Sequence, residues 1–270
     1  MERQDLTKNF RSIMENINNR LPLFKLILGA AIFAYEKRFV LARSLWLPFF
    51  IGMSLSLANS FGSPFGGSAE VPIEELKEGR FGAMYFVVIA MFFVTVVATV
   101  RAYRVLLECD LPINSPISWG LSETKFTLAM FSLGMIFMFV LAISSTVLIS
   151  VFNVIGNVGA LAMLNFLPPV YIAARLILVF PEVSRDPEIG VFDALKWSWS
   201  ATKGNGLVLM LLAVVFPLMI ALGINWFSNT AIPLSDFLGA TLVWLVLPFE
   251  VALIALSYST IKRMADVSPD

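Results

Sequence analysis

Apolar positions fall in six long runs, at about 40–60, 82–103, 126–152, 158–180, 207–227 and 239–260. Each approaches or exceeds the ~20 residues that a helix needs to cross the hydrocarbon of a bilayer. Polar and charged residues gather in the gaps between them. The first run is the least clean, with Arg43 near its start and Pro48 within it. The shorter stretch 21–36 carries Lys25 and ends in Glu36, Lys37 and Arg38, so it predicts an interfacial or re-entrant helix and not a seventh span. Ahead of it, Leu6, Phe10, Ile13, Ile17 and Leu21 recur at spacings of 4, 3, 4 and 4, with Arg3, Lys8, Arg11 and Arg20 off the stripe. That pattern predicts an amphipathic helix. Such a helix can rest on the membrane or the protein's own loops, or it can bind a partner.

The expected fold is therefore all-α: a polytopic membrane bundle of six transmembrane helices over 39–262. Cytoplasmic amphipathic and interfacial helices over 1–38 precede it, and a short cytoplasmic tail over 263–270 follows. The stretch before the first apolar run carries both signs of charge and does not read as a secretory signal.

Basic residues sharpen the topology. With six spans and the N-terminus inside, 17 of the 19 Lys and Arg residues fall on the inner side, and Lys77 and Arg80 alone fall outside. That split is the positive-inside pattern, and it sets both termini in the cytoplasm. The one long outer connection, 61–80, opens with Gly62, Ser63, Pro64, Gly66, Gly67 and Ser68 and reads as a solvated linker.

Composition agrees. The chain is 58% hydrophobic and 14% charged, against about 45–50% apolar residues in soluble domains. The net charge is zero, which gives no basis for binding nucleic acid by neutralising phosphates. Histidine is absent, and the single cysteine, Cys109, lies between Glu108 and Asp110. Imidazole catalysis, histidine-bound metals and an intrachain disulfide are excluded, and the thiol lacks the electropositive setting that would activate it. No nucleotide-binding loop or other cofactor pattern is present, and an enzyme is not expected.

One window repeats. Trp119-x-x-Ser122-x-Thr124-Lys125 returns as Trp197-x-x-Ser200-x-Thr202-Lys203, displaced by 78 residues, each time ahead of an apolar run. Around the second copy, Asp193, Lys196, Ser200 and Lys203 share one arc of a helical wheel and Phe192, Leu195 and Trp199 the next. This predicts an interfacial helix with tryptophan at headgroup depth. Trp119, Lys125, Trp197 and Lys203, with Arg101 and Arg104 at an inner helix end, are candidate contacts to lipid headgroups. Aligning Lys37 with Lys125 suggests a third unit by layout alone. The build would then be three repeats of interfacial helix plus two-span hairpin.

The stretch from Arg175 through Phe180-Pro181-Glu182, then Gly190-Val191-Phe192-Asp193-Ala194-Leu195-Lys196-Trp197-Ser198-Trp199-Ser200-Ala201-Thr202-Lys203-Gly204, resembles the signature of YciC-like bacterial membrane proteins. It is also similar to the membrane region attached to some glycerophosphodiester phosphodiesterases. The match covers about 30 residues, Arg175 to Gly204. The resemblance implies a six-span protein of the bacterial inner membrane. It does not imply hydrolysis, because the hydrolytic part of those enzymes is a separate soluble barrel that uses histidine.

Ionisable groups inside a span are costly and mark structural or functional sites. Arg175 stands about one and a half turns from the inner end of its span, and Glu250 about three turns from the end marked by Lys262. They form a candidate intramembrane polar pair, serving either as a packing clamp or as a proton or ion site. Asn153, Asn157, Asn165 and Asn225 lie near outer ends, where they are expected to cap helices. Pro168-Pro169, Pro217 and Pro248 each predict a kink or break. Two functions remain open: a non-enzymatic accessory, scaffold or membrane-organising component of a larger complex, joined to other membrane proteins, or a transporter or channel for a small or amphiphilic solute.

Overall fold

The computed structural model describes residues 21–62, 79–107, 109, 119–155, 163–228 and 235–267. The stripe of Leu6, Phe10, Ile13 and Ile17, most of the 61–80 loop and Asn157 lie outside those residues.

Every regular element among the described residues is helical. In chain order these are α1 (Leu23–Glu36), α2 (Arg38–Gly62), α3 (Gly79–Leu106), α4 (Leu121–Ile155), α5 (Leu167–Leu176), α6 (Val179–Arg185), α7 (Val191–Ala201), α8 (Gly206–Ser228) and α9 (Ser235–Val267). A 3-10 turn, Met163–Phe166, leads into α5. Among the described residues, five stretches are long and apolar enough to cross a membrane: Phe86–Leu106, Leu121–Ser150, Leu164–Arg185, Gly206–Ser228 and Thr241–Ala265. At 14 residues, α1 extends ~21 Å, well short of the ~30 Å hydrocarbon layer. It lies instead along α9, with Leu26 and Ala30 fully buried.

Burial ranks the spans. Within an 18-residue stretch of each span, Leu164–Arg185 and Thr241–Ala265 have 44% of residues inside the protein, against 11% for Leu121–Ser150 and Gly206–Ser228. The first two form the centre and the latter two the rim. Lipid tails are as apolar as leucine, so these helices are held by close packing and polar contacts. The packed centre includes Tyr103, Leu178, Val179, Val183, Leu253 and Ile261. Helices α2 and α9 approach closely where Gly52 meets Trp244: a Cβ on Gly52 would stand 1.9 Å from the indole ring.

Proline positions explain several boundaries, and they correct part of the sequence expectation. Pro168 and Pro169 begin α5 and break nothing, because the first turn of a helix has no intrahelical N–H bond to lose. Helices α2 and α9 run without a break through Pro48 and Pro248. Pro217 does mark an irregularity, as a π turn over Leu211–Val215 ends just before it. Pro181 stands in the first turn of α6. It has no N–H for the Ile177 carbonyl, and Ile177 and Leu178 form a turn between α5 and α6.

Candidate functional site

The polar side chains collect at one end of the bundle, where α3 ends, α4 begins, α6 turns into α7, and α9 ends. Two clusters are built there.

The first surrounds Arg175 at the end of α5. Its guanidinium carbon stands over the Trp199 ring, 3.7 Å from the centroid. It donates to the Trp199 carbonyl and, at 3.3 Å, to the Thr202 hydroxyl. The exchange is reciprocal, because the Ser198 hydroxyl donates to the Arg175 carbonyl at 2.8 Å. Arg175, Ser198, Trp199 and Thr202 thus lock the end of α7 onto the end of α5. Helix α7 stops here because Gly204 adopts φ 85°, a left-handed conformation open to glycine at little strain. The next residue, Asn205, accepts the Leu21 N–H at 2.9 Å, in a buried bond that fixes the entry to α1.

The second cluster joins α6 to α9. Glu182 is buried in the turn of α6. Lys262 pairs with it at 3.1 Å, and the Tyr258 hydroxyl donates to the same carboxylate. Lys262 also donates to the Tyr258 oxygen at 2.8 Å, and Arg185 does so at 3.3 Å. The Trp197 ring packs edge-on against Tyr258, with centroids 5.5 Å apart. A carboxylate in so apolar a surrounding is tolerable only with such partners.

The expected pairing of Arg175 with Glu250 is not formed. Arg175 is engaged by α7. Lys262 forms an ion pair with Glu182. Glu250 is half-buried on α9 beyond Pro248, and its electrostatic neighbour is Tyr103. Exchanging its carboxyl for an amide keeps the shape and removes only the ionisable group. Glu250→Gln is therefore expected to leave the yield of monodisperse protein in detergent unchanged, read by size-exclusion chromatography. A large loss would show that an ionised Glu250 holds the bundle together.

The interfacial candidates divide. Lys125 donates to the Ile189 carbonyl at 2.8 Å, bridging α4 to the turn before α7. Arg104 reaches the Ser122 hydroxyl at 3.5 Å, and the buried Arg101 interacts electrostatically with Glu123. These three serve contacts within the bundle. Lys203 is exposed. The two repeat tryptophans are not equivalent. Trp197 lies within α7 at the level of Lys262, whereas Trp119 precedes α4 and packs on Phe93 of α3 at 4.9 Å, capped by its own bond to Thr124 at 3.0 Å. The local sequence gives the reason: Gly204-Asn205-Gly206 separates the second window from its span, and Phe126-Thr127-Leu128 lets α4 continue directly. Asn165 does not cap its helix. It donates across to Ser145 of α4 at 2.7 Å.

Glu182, Tyr258, Lys262 and Asn205 are the site residues that pattern reasoning does not single out. Glu182 stands inside the Phe180-Pro181-Glu182 turn, and the signal was a carboxylate immediately after a helix-breaking proline. Among the described residues, no group of three or more Cys, Asp or Glu is placed to hold a metal ion. No protein-family profile, curated protein or solved structure matches the chain.

Proposed function

We propose that this chain is a non-enzymatic, six-span protein of the bacterial inner membrane, with both termini in the cytoplasm, that serves as an accessory or organising component of a larger membrane complex. The observation that carries this reading is the use of the ionisable residues at the polar end. Arg175, Glu182, Arg185, Lys262 and Lys125 all bind other parts of the same chain, which suits a rigid platform. In the six-span reading α2 supplies the span additional to the five above, as a 25-residue helix packed beside α3 and α9.

The rim helix α4 supports the same view. It has 35 residues, ~52 Å of helix, longer than the hydrocarbon is thick. Its exposed face carries Met135, Met138, Phe139, Ile143 and Val147, adaptable side chains suited to a neighbouring helix. A transport path through Glu250 and Arg175 has less support, because Arg175 is committed to α7. The test is mild extraction of the tagged full chain from native membranes, followed by identification of co-purifying proteins. A defined set of membrane proteins in constant ratio is the expected result. A lone monomer from every mild extraction overturns the proposal.

A further inference from the structure

Between α1, α2 and α9 runs an open apolar groove of about 440 Å³. Leu41, Leu45 and Phe49 of α2 form one wall, and Trp244, Leu247 and Phe249 of α9 the other. Arg38 stands at one end, at the elbow where α1 passes into α2. The lining of α2 runs from Arg38 to Phe50, a rise of ~18 Å. One leaflet contributes ~15 Å of hydrocarbon. The groove is therefore about one leaflet deep, apolar along its length and cationic at its rim.

Arg38 is prepared for an anion. Its guanidinium stacks on the Tyr35 and Phe39 rings, 3.9 and 4.6 Å from their centroids. One N–H is held by the Tyr35 carbonyl at 2.8 Å. A guanidinium has five N–H donors, and among the described residues no carboxylate forms an ion pair with this one. The two ring contacts and the bond to the Tyr35 carbonyl restrict the side chain, and a planar guanidinium fork suits phosphate oxygens better than an ammonium does.

We infer that this groove holds a membrane phospholipid with an anionic headgroup, one acyl chain lying between α2 and α9 and the phosphate seated on Arg38. The inference rests on the membrane-spanning reading of these helices and not on membership of a complex. The lipid completes the packing where α2 and α9 diverge below the Gly52 contact with Trp244. It belongs to the protein's own fold.

The test uses the full chain in dodecyl maltoside, titrated with phosphatidylglycerol or phosphatidylcholine and read by native mass spectrometry and by thermal melting. Wild type is expected to retain one phosphatidylglycerol and to melt higher with it than with phosphatidylcholine. Arg38→Ala is expected to bind it about tenfold more weakly, the loss of one charged hydrogen-bonded contact. Ala42→Trp, which fills the groove and leaves Arg38 in place, is expected to exclude the lipid. Lys25→Ala removes the same charge from the far end of α1 and is expected to bind as wild type. If Arg38→Ala and Ala42→Trp remain folded and retain phosphatidylglycerol like wild type, the inference is wrong. Equal retention of phosphatidylcholine overturns the headgroup assignment. Purification of the chain alone but with its lipid would overturn the complex component reading and leave this one standing.

Discussion

Glu182→Ala is expected to destabilise the folded protein by about 2–4 kcal/mol. Removing one member of a buried ion pair leaves the other charge without its partner, at about 3–5 kcal/mol. Lys262 has a side chain 29% exposed, and part of its charge regains water, which brings the figure down. Tyr258 is buried and loses its acceptor as well. The double exchange Glu182→Gln with Lys262→Met removes both charges at similar volume and should recover most of the loss. Melting of the purified protein in detergent, followed by size exclusion, measures both. An unchanged melt for Glu182→Ala would show that the α6–α9 contact is held by packing alone. Tyr258→Phe separates the hydroxyl from the charges and is expected to cost about 1 kcal/mol.

The second large effect is expected at Arg175. Arg175→Ala removes the stack on Trp199 and the bonds to the Trp199 carbonyl and Thr202 hydroxyl. A stack of this kind contributes about 0.5–2 kcal/mol, and a hydrogen bond from a charged group about 1.5–3. The summed loss is about 2–4 kcal/mol after partial rehydration. The region that loosens should be local: the end of α7 and the turn through Gly204. Limited proteolysis in detergent should gain a cut near 202–206. Arg175→Lys is expected to recover little, because an ammonium does not lie flat on an indole and fork to two acceptors. A lysine variant as stable as wild type would mean that charge alone suffices and that the planar geometry is incidental.

What the sequence made legible, and what it left hidden, follows from the range of the interactions. Long apolar runs are local, so the helices at 82–103, 126–152, 158–180, 207–227 and 239–260 could be read directly, with boundaries shifted by a few residues. The gathering of Arg101, Arg104, Lys125, Arg185 and Lys262 at one end of the bundle was also legible, because alternating spans bring alternate loops together. Arg175 was recognisable as special from its depth, but its partner was not. The apparent counter-charge, Glu250, stands on α9 and makes no pair with it, while the true partners, Trp199 and Thr202, lie in its own motif. Glu182 and Lys262 are 80 residues apart, and no periodicity links them. The proline expectations failed where position within the helix mattered more than residue type, as at Pro168 and Pro169.

The bond from the Leu21 N–H to Asn205 spans 184 residues. A ribosome adding ~5–20 residues per second needs ~10–40 s to cover that distance. During that interval α1 has neither Asn205 nor α9 to receive it. The segment stays without these contacts while the apolar helices Phe86–Leu106, Leu121–Ser150 and Leu164–Arg185 are made. Helix α1 is made early and secured late. An insertion factor or a partner subunit that shields α1 in this period would determine whether the nascent chain reaches its native packing or is degraded at the membrane.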